Sequence, residues 1–425
     1  MNIYSKIGLA APEILLPDDG TDMTKWAVIA CDQYTSEPDY WTNAEEIVGD
    51  APSTLRLILP EYYLPVETEE QKAKRLEDIK KSAEEYLNGN VFRKLGPGYI
   101  LTDRLTSLHP SRKGLVIAID LETYSFRPED KALIRATEGT VLERIPPRVM
   151  IRSNSPIELP HVMLLIDDPT GNVIERAWAE ARRTGIEPVY DTDLMQDCGH
   201  IKGVYISDDS EIAEDIRKAL EEILDAGGDG LLYLVGDGNH SLASAKAYWE
   251  QVRETLPEDQ RNDHPARFAL VEVVNIHDKG LDFEPIHRVV FDVSFEKFIG
   301  LVKDAAGEEN VKVSDEPSGE GQRFTVVSEG APDKYVSIIA NAPHSLAVGS
   351  VQQIIDKAGL GVDYIHGEDS VRKLAIGNNI GILLPEISKD SFFETVARDG
   401  VFPRKTFSMG EAFEKRFYLE ARVIR

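Results

Sequence analysis

Short apolar runs alternate along this chain with stretches whose apolar residues recur at helical spacing, a pattern that predicts an α/β protein with a mixed sheet. Lys25–Cys31 and Thr54–Leu59 read as strands, with a helix over Asp39–Ile47 between them. Thr68–Asn88 reads as an amphipathic helix whose interleaved Glu and Lys form a solvated face. Strands are expected near Gly98–Thr102, Gly114–Asp120, His161–Ile166 and His200–Ile206. Helices are expected over Val173–Arg183 and over Asp209–Leu224, the latter with acidic residues in its first turn. Leu231–Val235 is a strand that runs straight into Gly236-Asp237-Gly238-Asn239-His240, and a helix starts at about Ser241. Phe268–Ile276 is a further strand.

Beyond Val290 the texture changes. Phe295–Ala305 predicts a helix, and the polar stretch 308–334, rich in Gly, Glu, Ser and Pro, predicts a hairpin-bearing insertion or a domain seam. Strands are expected again at Val336–Ala340, Ile380–Leu384 and Arg416–Val423, with helices at Val351–Ala358 and Ser391–Arg398. The expected division is a core region over 1–290 and a smaller α+β region over 291–425. No internal repeat is visible.

Composition narrows the class. The 425 residues include 74 acidic and 47 basic side chains, a net charge of −27. Wrapping nucleic acid needs Lys and Arg to displace phosphate counterions, so a nucleic-acid partner is not expected. A local basic pocket for a small phosphate ligand remains compatible with that charge. No apolar run reaches membrane-spanning length and no secretory signal opens the chain, so a cytoplasmic protein without a membrane partner is expected. Cys31 and Cys198 are too few for a disulfide framework or a Cys-based zinc site. The nine histidines fall singly, with no H-x₃-H or H-E-x-x-H spacing, so no metal centre is expected. His161, ahead of a buried strand, reads as a satisfied core or loop histidine. Asp167-Asp168 before Pro169 reads as a turn more readily than as a magnesium site.

The segment Leu231–Lys246 carries the most chemistry. An apolar strand stops at two glycines flanking Asp237, and a helix follows at once. A helix start offers free backbone N–H groups and partial positive charge, which suits an anion. Gly238 lets the backbone approach a ligand, and Asn239, His240 and Ser241 bring hydrogen-bonding side chains to the same turn. A helix cap by Asp237 or Asn239 is the other reading. Ser241 and Ser244 lack the G-x-S-x-G context of a hydrolase nucleophile.

Asp237-Gly238-Asn239-His240-Ser241 resembles the D-G-H-H-R signature of the domain of unknown function 1015 family. Ala30-Cys31-Asp32-Gln33-Tyr34 and Leu55-Arg56-Leu57-Ile58-Leu59-Pro60-Glu61 resemble its N-terminal pattern. Glu284-Pro285-Ile286-His287-Arg288 is similar to its P-x-H-R element, and Pro403-Arg404-Lys405-Thr406-Phe407 to its C-terminal element. The resemblance implies a core like that of ParB proteins, sulfiredoxin and the ADP-dependent free-serine kinase, which place such a strand–turn–helix on nucleotide phosphates. It implies ATP or ADP with Mg²⁺ as cofactor, and a small-molecule substrate. Asn239 stands where the signature has its first His, and Ser241 where it has Arg, so another cation must meet the phosphate. No Cys sits beside the motif in sequence, which disfavours sulfiredoxin-like chemistry.

The segment Arg135–Arg148 mixes acidic and basic groups. The family's H-E-x-T piece maps onto Thr137-Glu138-Gly139-Thr140, and the resemblance makes Glu138 the base that takes a proton from an attacking hydroxyl. A surface carboxylate is the alternative for Glu138. Arg135, Arg144 and Arg148 are candidates for the missing cation, and Glu143 reads as a salt-bridge partner. His287 and Arg288 are expected to reach the same pocket. Two functions follow: nucleotide binding with phosphoryl transfer to a small hydroxyl compound, or a non-catalytic sensor that keeps the pocket.

Overall fold

The computed structural model describes residues 1–317 and 319–425, and at Arg144 the backbone alone. The chain forms two units, Met1–Leu281 with Glu411–Arg425, and Asp282–Gly410.

The first unit is built on a twelve-stranded mixed sheet. Its main path runs Tyr190–Asp193, His200–Ser207, Phe92–Leu105, Arg112–Asp120, Phe268–Asn275, Val162–Ile166, Tyr233–Asp237, Ile134–Ala136 and Tyr124–Ser125. Val162–Ile166 lies parallel to Phe268–Asn275 and antiparallel to Tyr233–Asp237, which is parallel to Ile134–Ala136. The central strands are almost wholly apolar because both faces are covered. Leu115, Ile117 and Ile119 face a core with Trp178, Ile216 and Trp249 from helices Ile174–Thr184, Glu211–Ala226 and Asn239–Thr255. Val116 and Leu270 face a second core with Val28, Trp41 and Phe417.

Asp282–Gly410 contains a seven-stranded sheet, and every pairing within it is antiparallel. Helices Phe295–Ala306 and Ala347–Ala358 pack on one face through Phe298, Val302, Val351 and Ile355. The polar stretch 308–334 carries Val311–Ser314 and Gln322–Val327, both antiparallel to Lys334–Ile338. Among the described residues no helix is long and apolar enough to cross a membrane.

Three expectations change on physical grounds. The boundary falls after Leu281, not at 290, because Phe283–Val290 pairs with Val362–His366 and Ile380–Leu383 of the second sheet. Residues 411–425 return to the first unit, where Phe417–Tyr418 pairs with Val28–Ile29, and Arg422–Val423 with Ile157–Glu158. Thr54–Leu57, expected as part of a strand over Thr54–Leu59, is a 3₁₀ turn capped by the Ser53 hydroxyl, with Leu55, Leu57, Ile58 and Leu59 all buried.

Candidate functional site

The site assembles in the first unit where Tyr233–Asp237 hands over to Asn239–Thr255. Between them Gly238 adopts φ +81°, a left-handed conformation that glycine takes without strain. A Cβ there would stand 3.1 Å from both the Val162 Cα and the His161 Cδ2. Gly238 is therefore required by close approach as well as by φ. The N-cap residue of this helix is Gly238, which has no side chain to cap it, and a helix start carries N–H groups without intrahelical acceptors. One Asp237 oxygen accepts the Gly238 N–H at 2.9 Å, and the other lies 3.2 Å from Lys415 Nζ. Lys415, only 11% exposed, supplies a cation at this turn. Nothing local marks Lys415 in the sequence, because the chain returns to this place only at its far end.

Asn239 and His240 turn toward the 137–141 loop. The Thr137 N–H donates to Asn239 Oδ1 at 3.3 Å, and the Val141 N–H donates to His240 Nε2 at 3.1 Å. Thr137 also donates its hydroxyl to the Val235 carbonyl at 2.6 Å. These bonds hold half-buried Glu138 and Thr140 in a loop tied to the helix start. The Thr140 hydroxyl is buried and has no hydrogen-bond partner among the described residues. Helix Ile145–Asn154 packs along Asn239–Thr255 and carries Arg148, which is ion-paired with Glu61. The Glu61 N–H donates to the Cys31 carbonyl at 2.7 Å. Arg135 is consumed structurally by Asp229 and the Ala132 carbonyl. The Arg144 side chain lies outside the described residues.

The close approach at Gly238 leads to a cluster that the sequence reading passed over. His161 has its Nδ1 2.6 Å from the Tyr418 hydroxyl and its Nε2 3.2 Å from Asp32 Oδ2. Cys31 Sγ lies 3.9 Å from the same Nδ1. Burial works against a charged imidazole, but Tyr418 and Asp32 outweigh it and hold His161 well above its ordinary range. Burial likewise opposes the Asp32 carboxylate, and His161, Gln33 and Lys415 overcome it, so Asp32 stays ionised below the usual carboxylate range. His161 is thus a satisfied histidine, as its sequence context suggests, but the satisfaction comes from charge. Asp32 was visible only as part of the N-terminal pattern. No Cys neighbours Asp237–Ser241 along the chain, yet the fold brings Cys31 to it through His161.

His287 and Arg288 belong to the other unit. Leu384 donates its N–H to His287 Nδ1 at 3.0 Å. Arg288 is fully buried and donates to the carbonyls of Ile286, Arg404 and Lys405 and to Gln352. Its guanidinium holds that unit together, leaving its Nη groups spent on carbonyls. Asp168 accepts the Val173 N–H and the Thr170 hydroxyl, the turn chemistry expected of it.

A magnesium ion fits this site poorly as a protein-held group. Lys415 faces Asp237 and His161 faces Asp32, so the carboxylates here are already balanced by cations.

The molecule is a mixed α/β protein whose strand–glycine–helix junction is flanked by Lys415 and by His161, which is held between Asp32 and Tyr418. The chain belongs to the family described as Protein of unknown function (DUF1015), whose model matches residues 15–356. None of the curated proteins matches it. Among solved structures, it is similar to SbnI with a C-terminal truncation from Staphylococcus aureus, at 10% identity and a TM-score of 0.38 over 69% of this chain and 82% of that one. A free serine kinase in complex with AMP gives 12% identity and a TM-score of 0.38 over 73% and 92%. A conserved hypothetical protein from Pyrococcus furiosus gives 14% and 0.34 over 71% and 93%. Likeness this distant transfers neither ligand nor activity.

Proposed function

We propose that this chain binds the phosphates of a nucleotide at the start of helix Asn239–Thr255 and transfers a phosphoryl group to a small hydroxyl compound. The observation that carries the reading is the buried Thr140 hydroxyl, which has no hydrogen-bond partner among the described residues, on the loop that adjoins the helix start at Gly238, with Lys415 beside Asp237. First-turn N–H groups and the Thr140 and Ser241 hydroxyls donate to phosphate oxygens, while Lys415 replaces the cation that Ser241 lacks. Asn239 and His240 act one step back by holding the 137–141 loop in place. Glu138 takes the proton of the acceptor hydroxyl, and positioning supplies most of the rate. ATP or ADP is the expected nucleotide, and Mg²⁺ would arrive on its phosphates, for the reason given by the balanced carboxylates.

A thermal-shift screen of ATP, ADP, CTP and GTP, with and without Mg²⁺, tests binding. A ligand at about 100 times its Kd adds about 2.7 kcal/mol to stability. No shift at millimolar nucleotide refutes the reading. Transfer of labelled phosphate to a pool of small hydroxyl metabolites then tests the chemistry. Glu138→Gln should retain binding and lose roughly 10²–10⁴-fold in transfer. Equal transfer by both proteins removes Glu138 from the mechanism. A non-catalytic sensor is favoured by one observation: Asn239 and His240 are spent on loop backbone, so ligand at the helix start would be felt by that loop. Binding without transfer by the wild-type protein selects this second reading.

A further inference from the structure

The two long helices of the second unit cover one face of its sheet. Phe324, Val326, Val336 and Ile338 pack there with Phe298, Val302 and Val351. Strand alternation sends Arg323, Thr325, Tyr335 and Ser337 to the opposite face. At one end of that face, helix Glu368–Leu374 packs through Val371 against Val289 and Val327. The rest is the floor of a cavity of about 980 Å³, lined wholly by residues of the second unit. Pockets that hold small ligands run from about 300 to 1,000 Å³.

Register places four side chains in a row across this floor. Thr325 stands opposite Tyr335 on one side and Leu383 on the other, and one step beyond the Arg288–Ile382 pair His287 comes level with Leu383. At about 4.8 Å per strand, the row spans roughly 14 Å. His287 is the most buried of the four, at 8% exposed. Its Nδ1 accepts the Leu384 N–H, which fixes the proton of the neutral ring on Nε2. Burial, aided by His366 and Arg288 and opposed by Glu368, pushes the imidazole below its ordinary range and keeps it neutral. Among the described residues the Nε2–H has no acceptor. A merely solvated sheet face would expose this ring. Here a donor on a side chain more than nine-tenths buried opens onto the cavity it lines, and an acceptor is owed to it.

The charges of the lining select against a charged occupant. Arg323 and Lys389 repel an amine, and Asp282 and Glu386 repel an anion. Glu284 and Glu368 also line the cavity, but His366 and Arg372 already match them, so the two signs balance. The lining therefore offers N–H donors, carboxylate acceptors and the hydroxyls of Thr325 and Tyr335, with Phe283 and Leu383 as apolar surface. A hydroxyl group donates one hydrogen bond and accepts two, so a neutral molecule carrying many of them meets such a mixture. We propose that the second unit binds a neutral short saccharide in this cavity, with one sugar oxygen accepting from His287 Nε2. The site is separate from the phosphate reading, and its test uses no nucleotide.

The experiment titrates the ¹⁵N-labelled full chain with glucose, maltose, cellobiose, lactose and sucrose, up to tens of millimolar, and reads the long-range ¹H–¹⁵N spectrum of the histidine rings. His287→Asn assigns the His287 signals by their loss; the new Oδ1 can still accept the Leu384 N–H, and the Nε2 donor is gone. The expected result is a saturable shift of His287 Nε2 with at least one sugar, at a millimolar Kd. In a saturation-transfer titration with that sugar, His287→Asn should weaken binding about tenfold, as loss of a buried hydrogen bond does. Thr325→Val should weaken it about threefold, and it carries the test should His287→Asn fail to fold. Glucuronate and glucosamine are the charged controls and should bind no tighter than glucose. Tighter binding of either overturns the neutral class. Sugars are themselves small hydroxyl compounds, so sugar binding that leaves the His287 signals unmoved belongs to the acceptor site of the phosphate reading and overturns this proposal. Absence of binding by every sugar overturns it as well, and leaves the phosphate reading untouched.

Discussion

Lys415→Met keeps the aliphatic stem of the side chain and deletes its ammonium. In the native site that ammonium stands 3.2 Å from Asp237 Oδ2 and also favours the ionised Asp32. At an effective dielectric of about 20, two unit charges about 4 Å apart attract by about 4 kcal/mol before desolvation. The net worth of a hydrogen bond to a charged group is about 1.5–3 kcal/mol, and that smaller figure is the one binding reports. Removing Lys415 also leaves Asp237 facing the phosphate unbalanced, which pushes the effect toward the upper end. The Kd for a nucleotide should therefore rise roughly 10–150-fold. Isothermal titration calorimetry at fixed ionic strength measures it, with salt held constant because surface charges are screened within about 10 Å. The melting temperature of the free variant is measured in parallel, since losing the Asp237 partner carries a stability cost of its own. A Kd within twofold of wild type would refute the assignment of Lys415 as the phosphate cation. Weaker binding that only tracks a lower melting temperature would refute it equally.

Three further outcomes follow from the same geometry. Gly238→Val should lower stability by about 1–3 kcal/mol in urea unfolding, because the backbone sits at φ +81° and a Cβ meets Val162; it is therefore not a clean test of ligand binding, and unchanged stability would argue against the close approach. Arg416→Met should cost about 3–5 kcal/mol in the same assay, since it strands the buried carboxylates of Glu272 and Glu420. His161→Gln should destabilise most between about pH 4.5 and 6.5, because a raised histidine pKa stabilises fully below its unfolded value and loses that contribution as pH rises through the folded one. A stability gap between wild type and His161→Gln that widens toward pH 9.5 would contradict this sign.

The strand–turn–helix at Asp237 was legible because its causes are local: an apolar run, two glycines, then helix formers. The structure sharpens it by starting the helix at Asn239. The α/β texture was legible for the same reason, from period and punctuation. What surrounds the turn was not. His161 meets Asp32 across 129 positions and Tyr418 across 257, and Lys415 reaches Asp237 from the C-terminal segment. No residue pattern within a helix or strand encodes such meetings. Arg416–Val423 shows the same limit, since one expected strand splits into two short ones, which pair with Val28–Ile29 and with Ile157–Glu158. Arg288 was expected at the pocket because the resemblance to the P-x-H-R element put it there, and its burial among carbonyls is invisible in a motif.

The return of residues 411–425 to the first unit has a consequence for how the chain is born. During synthesis Met1–Leu281 leaves the ribosome long before Phe417–Tyr418 and Arg422–Val423 exist to pair with it. At 5–20 residues per second, the intervening unit Asp282–Gly410 delays that closure by roughly 6–25 s. During the wait, the Trp26 indole lacks the Leu419 carbonyl it donates to, and Glu158 lacks Arg422. The nascent first unit thus shows two bare strand edges and a Glu158 carboxylate paired with Arg152 alone, the kind of surface that chaperones hold. The inserted unit, whose strands pair among themselves, is free to fold first.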